Sequence, residues 1–260
     1  MLLTVLWPTL FLYLSLALCS VGIAAAVVRY DLYKQESWTA LALVAALGAG
    51  SMWLAGQAQL GVIHVLSSND LLIDNIQLAL LAGSTEELGK LLAVLLLFLL
   101  ARRAFDEPLD GLIYGSFAGL GAAIEESVVV LGKVTPALYL PPQEPVRLAG
   151  HLVMGGIGAF GLGLLTTRSR WAFPVIAACL AGAILLHTAW DVAAFSAADL
   201  YRIHGKLLPW HTVTPIVLML GGMLVYRWFA GIGARMVRAH LQICDVKTRE
   251  CPPSPPNPRS

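Results

Sequence analysis

Charge is scarce in this sequence. Only 13% of its 260 residues are Asp, Glu, Lys or Arg, about half the share in an ordinary soluble domain. A water-soluble globule of this size could not cover its surface with so few charges. That excludes a soluble enzyme, a nucleic-acid binder and a disordered chain. Neither sign dominates: 17 basic against 16 acidic residues leave a net charge of +1, so no overall field steers an anionic partner. Cysteine is sparse as well. Cys19 and Cys179 fall in apolar runs and Cys244 and Cys251 in the polar C-terminal segment, which does not suggest a disulfide framework. Internal repeats are lacking, which weighs against an inverted-repeat transporter. The N-terminus lacks a basic n-region, and its apolar stretch is longer than a signal-peptide core. Leu18 stands before Cys19 where a lipoprotein signal needs a small residue. The stretch therefore reads as an uncleaved first span.

What is abundant is apolar sequence: 58% of the residues, with a mean hydropathy of +0.75. Runs of bilayer length predict spans at about 2–28, 38–58, 84–101, 111–132, 148–167, 171–195 and 211–230. The fold class is all-α, a polytopic transmembrane bundle of about seven to eight spans in contact with the lipid bilayer. The eighth depends on 61–83, where Asn69, Asp70, Asp74, Asn75 and Gln77 interrupt the leucines. Residues 71–82 read as an amphipathic or re-entrant helix that breaks at Gly83, since one helix over 71–101 would be about 46 Å long. Residues 1–240 form the predicted membrane domain. Residues 241–260, ending in Pro252-Pro253-Ser254-Pro255-Pro256-Asn257-Pro258, read as a disordered cytoplasmic tail. Seven spans place twelve basic residues, among them Arg29, Arg102, Arg103, Arg170 and Arg235, on the C-terminal side and four on the other. The positive-inside rule then puts the N-terminus outside and the C-terminus in the cytoplasm.

Against this background, ionisable residues inside apolar runs stand out. Each costs about 2.5–3.5 kcal/mol to insert, and such groups are functional candidates by default. They are Glu86, Glu87, Lys90, Glu125, Glu126, His151, His187 and Asp191. Ser84 and Glu87 have capping-box spacing. Lys90 lies four residues after Glu86 and three after Glu87, within reach of either. It is expected to hold one carboxylate ionised by its charge while the other stays free for protons. Glu125 and Glu126 have no basic neighbour on their own helix and need a partner from another. His151 opens a glycine-rich run, Gly155 to Gly163, that permits close helix packing. His187 and Asp191 share a helix face at i, i+4. Five carboxylates, two histidines and a lysine on four spans are explained most simply by one polar cavity.

These motifs resemble the PrsW family of intramembrane proteases and, more distantly, the type II CAAX prenyl endopeptidases. Glu86-Glu87-Leu88-Gly89-Lys90 matches the Glu-Glu-x-x-Lys of that family. Glu107-Pro108-Leu109-Asp110-Gly111-Leu112-Ile113-Tyr114-Gly115 is similar to its Glu-Pro-x-Asp-Gly-x-x-Tyr-Gly segment. Gly119 to Ser127 resembles its Gly-x-Gly-Phe-Ala-x-x-Glu-Asn, which sets Glu126 on the family glutamate, with Ala122 in place of Phe, Ser127 in place of Asn and Glu125 as an extra acid. His151 with its glycines, and His187 through Asp191, resemble the third and fourth motifs. The motif core spans 84–192.

The resemblance implies an endopeptidase of the bacterial cell membrane that cuts a membrane-anchored protein, such as an anti-sigma factor, in regulatory (site-1-type) proteolysis. No serine or cysteine has a convincing base partner, so water is the expected nucleophile. By resemblance, Glu86, Glu87 and His151 activate it, Glu126 joins them, and His187 and Asp191 orient substrate or steady the oxyanion. Lys90 tunes the carboxylates and Glu125 is accessory. Metal dependence stays open: His151, His187 and Glu126 could bind zinc, yet there is no His-Glu-x-x-His spacing. A proton-coupled transporter or channel using the same cluster is the alternative.

Overall fold

Runs of Leu, Ala, Val and Ile close their own backbone hydrogen bonds as helices, the economical way to carry a chain through hydrocarbon. The computed structural model describes residues 2–29, 35–62, 71–132, 140–167, 169–205 and 209–247, and among these there is no strand. Seven α-helices follow in order: α1 Leu2–Val28, α2 Trp38–Val62, α3 Leu71–Leu100, α4 Asp110–Leu131, α5 Gln143–Gly163, α6 Ala172–His204 and α7 Pro209–Lys247. Short 3-10 turns at Arg102–Ala104 and Leu164–Thr167 follow α3 and α5. Six of the seven are long and apolar enough to cross a membrane. The exception is α3, where any bilayer-length window holds at least three of Asp74, Glu86, Glu87 and Lys90. The chain is an integral membrane protein built as a helical bundle.

The expected break at Gly83 does not occur. α3 is one helix of 30 residues, about 45 Å long, and Ser84 is a mid-helix residue with no capping role. The reason lies in α6, which is as long and runs alongside. Asn75 donates to Asp199 across the pair at 2.9 Å, and a Cβ on Gly83 would lie 2.8 Å from Thr188 Oγ1. Gly83 is therefore the point of closest approach. The predicted span at 148–167 would put His151 in the first turn of its helix, but α5 begins eight residues before it, at Gln143. α2, α6 and α7 run past their predicted ends, α7 reaching Lys247. The Pro-rich stretch 252–258, residues 63–70 and the loop containing Lys133 lie outside the described residues.

α4 is the central helix, packed on α2 at one side and α5 at the other, with α3 bridging α2 and α6. α1 touches α4 and α5, and α7 lies over α5 and α6. Glycine sets these approaches. A Cβ on Gly119 of α4 would stand 2.0 Å from the His151 carbonyl oxygen of α5, an impossible contact. At the other end of α4, Asp110 Oδ2 accepts the Asp106 and Glu107 N–H groups at 2.7 Å. The Tyr114 hydroxyl donates to Glu36 beside them. That acidic group clamps the 101–110 turn to the start of α2.

Candidate active site

On α3, Glu86 and Glu87 are adjacent and so point about 100° apart. Both are buried, with 7% and 2% exposure, but their partners differ. Glu87 Oε1 takes Lys90 Nζ at 2.5 Å, one turn along the same helix. It also takes His187 Nδ1 of α6 at 2.7 Å. Glu86 receives Gln59 Nε2 of α2 at 3.3 Å on Oε1. Its Oε2 faces His187 Nε2 at 3.5 Å and has no hydrogen-bond partner. The lysine thus selects Glu87, at Oε1, while Oε2 of each glutamate is without a hydrogen bond.

His187 is 2% exposed and gripped from its Nδ1 side. An ionised carboxylate can only accept, so the nitrogen on Glu87 carries a proton, and Nε2 is turned to Glu86 and Asp191. Asp191 Oδ2 stands 3.5 Å from that Nε2. The shared face expected from the spacing is present, while the residue that orients the ring is Glu87.

Glu126 finds its partners on α5, where His151 Nε2 lies 3.1 Å from Oε2 and Arg147 Nε 3.4 Å from Oε1. Arg147 is itself held by Glu144, whose two oxygens lie 2.9 and 3.0 Å from Nη1. Glu144 is fully buried and accepts the Ser127 hydroxyl at 2.6 Å. Sequence reasoning missed Arg147 and Glu144. Their i, i+3 spacing was available as a signal, but the predicted span began only at 148. Ser127, standing where the family motif has Asn, supplies the link from α4 to Glu144.

The two halves meet at the histidines, whose rings lie edge to face with centroids 5.1 Å apart. Glu86, His151 and His187 each bring one ligand atom within 4.8 Å of the others. One nitrogen of each histidine faces a carboxylate, Glu126 for His151 and Glu87 for His187, and His151 Nδ1 has no hydrogen-bond partner. Carboxylate–imidazole pairs of this kind hold metal-binding histidines in structural and catalytic sites, and one carboxylate with two imidazoles is a zinc donor set. The chain's residues fit a divalent ion. The carboxylate grouped with the two histidines is Glu86. Glu126, the carboxylate expected there, is turned to Arg147 and His151.

A cavity of about 380 Å³ opens onto this cluster. Met52, Trp53, Gln57 and Gln59 of α2 line it with Glu86 of α3 and Glu125, Glu126 and Val129 of α4. A passage from outside the bundle thus reaches the buried Glu86 past the half-exposed Glu125 and Glu126.

A family model described as PrsW family intramembrane metalloprotease matches residues 36–222. The chain belongs to the PrsW family. The match takes in α2 to α6 and the first part of α7, hence every residue of the polar cluster. As a PrsW-family member the protein is an intramembrane protease, a hydrolase acting on peptide bonds of membrane-embedded substrates within the bilayer. That displaces the transport alternative. Searches of curated proteins and of solved structures give no match.

Proposed function

We propose that the protein cleaves a membrane-anchored protein near the bilayer surface, as the first cut of a regulatory cascade, with water as nucleophile. The single observation that carries this reading is the convergence of Glu86, His151 and His187, with Glu86 lining an open cavity. The substrate enters between α2 and α4 and unwinds, because a helical peptide bond is shielded by its own neighbours.

Water beside Glu86 loses its proton to Oε2, the oxygen without a hydrogen bond. His151 Nδ1, equally unfilled, faces the same space and is held there by Glu126 on the other side of the ring. Lys90 and His187 both hold Glu87 Oε1 and Glu87 does not line the cavity, so it positions His187 and does not exchange protons. Asp191, beside His187 Nε2, orients substrate at the far wall. Glu86, His151 and His187 would hold the divalent ion that the family description implies, and such an ion supplies polarisation of the scissile carbonyl.

The basic residues favour a cytoplasmic C-terminus, in a bacterial cell membrane by analogy with the family. That puts the cluster, at the Gly132 end of α4, in the outer part of the bilayer. Purified protein in liposomes is the test, incubated with single-span proteins beside Glu86→Gln. Wild-type cleavage with the variant reduced by about 10²–10⁴-fold fits a lost general base. Full cleavage by a folded Glu86→Gln protein refutes the assignment.

A further inference from the structure

The cavity leading to the site is lined by three carboxylates: Glu86, Glu125 and Glu126. Glu86 is buried with its Oε2 unpartnered, and it closes the inner end. Glu126 is engaged by Arg147 and His151. Glu87, just behind, is neutralised by Lys90. Glu125 is different. It is half-buried on the wall of the cavity, and among the described residues no hydrogen bond or ion pair reaches it. The other lining groups, Trp53, Leu60, Met52 and Val129, are apolar, and Gln57 and Gln59 are neutral. An acid without a counter-charge, on a wall that carries two further carboxylates among apolar side chains, is costly. An incoming cation beside it relieves that cost, and the long apolar stem of Lys or Arg suits the remainder of the wall.

We infer that this groove between α2 and α4 is a substrate subsite selective for a basic side chain, with Glu125 as the specificity-determining carboxylate. The occupant is an unwound segment of a membrane-anchored protein carrying Lys or Arg close to the bond to be cut. Its role rests on the endopeptidase reading above, and the two are separable by experiment.

The probe is a series of single-span peptides in zwitterionic liposomes. Each carries Lys, Gln or Glu at one of successive positions beside its span. Binding is read by photocrosslinking from benzoylphenylalanine placed at Val129, in a Glu86→Gln background that prevents turnover. Lys peptides should be captured at about tenfold lower concentration than Glu peptides, the size of a modest charge pair. Glu125→Gln should abolish the difference, and Glu125→Lys should invert it in favour of Glu peptides, which loss of folding cannot do. Equal capture of Lys and Glu peptides, no capture at Val129 (as when lipid fills the groove), or a preference surviving Glu125→Gln overturns the subsite. The same peptides are then offered to protein with Glu86 intact. Charge-selective capture without cleavage refutes the endopeptidase reading and leaves the subsite standing, whereas cleavage indifferent to charge does the reverse.

Discussion

Glu86 and Glu87 are neighbours in the chain and strangers in their surroundings. One position faces Gln59 and an open cavity; the other sits between Lys90 and His187, away from that cavity. Substituting each should therefore give different failures. Glu86→Gln keeps the shape and removes the acceptor, so turnover falls while thermal stability stays near wild type. Glu87→Gln leaves Lys90 buried without its counter-charge, a loss of about 3–5 kcal/mol by precedent for broken buried pairs, read as a lower unfolding temperature in detergent. Lys90→Met should be destabilising too, but Glu87→Gln/Lys90→Met should recover much of the loss, because no buried charge is then unpaired. A double variant as unstable as the two single changes added would show that the pair is not coupled. Arg147 is the second residue-scale prediction. Its guanidinium joins Glu144 to Glu126, and only a fork can serve both at once. Arg147→Lys should lower kcat at nearly unchanged KM, whereas a KM effect alone would place Arg147 in substrate binding. Metal content tests the donor trio apart from activity: zinc bound per purified chain should fall in His151→Ala and His187→Ala and persist in Asp191→Asn.

At the scale of elements, α4 and α5 act as a plate and its cover. Glu126 reaches His151 because the backbones touch at Gly119. Gly119→Ala would push a methyl into the His151 carbonyl, and the strain of such overpacking is about 1–3 kcal/mol. Because that methyl parts the pair beside the site, cleavage should fall more than stability. Gly182 of α6 has nothing within 4 Å of its would-be Cβ. Gly182→Ala should leave cleavage intact and raise stability by up to about 1 kcal/mol through helix propensity. Equal responses to the two substitutions, in paired thermal melts and cleavage assays, would separate the site from helix packing. α3 is held to a single course by α6, through Asn75–Asp199 at one end and Gly83 against Thr188 in the middle. That is why the polar residues at 74–77, which read as an interruption, sit within a continuous helix.

For the molecule as a whole, Glu126 and His151 stand toward one end of α4 and α5, and among the described residues Arg102, Arg103 and Arg170 lie beside the other. A reporter active only in the cytoplasm, fused after Ser260, should be active. Activity solely of an exported reporter would invert the orientation, and the cluster would then face the cytoplasm. The asymmetry also fits the cavity lined by α2, α3 and α4, by which we propose that substrate enters.

Composition and the spacing of apolar runs determined that this chain is a helical membrane bundle, because so little charge cannot clothe a soluble fold and bilayer thickness dictates the length of a span. The few charges left in apolar sequence also marked the residues that cluster in the candidate site, since each is costly in lipid without a partner, and the i, i+4 rule paired His187 with Asp191. Partnership across helices was beyond local pattern. Lys90 could reach Glu86 or Glu87 equally well by spacing, and only α6, by presenting His187 to Glu87, distinguishes the two acids. Glu126 was separable from Glu125 by resemblance alone until α5 brought Arg147 and His151 to it. The course of α3 through Gly83 was decided in the same way. A helix with polar residues in its interior is broken or continuous according to what packs against it, and here α6 supplies Asp199 for Asn75 and a close surface for the glycine.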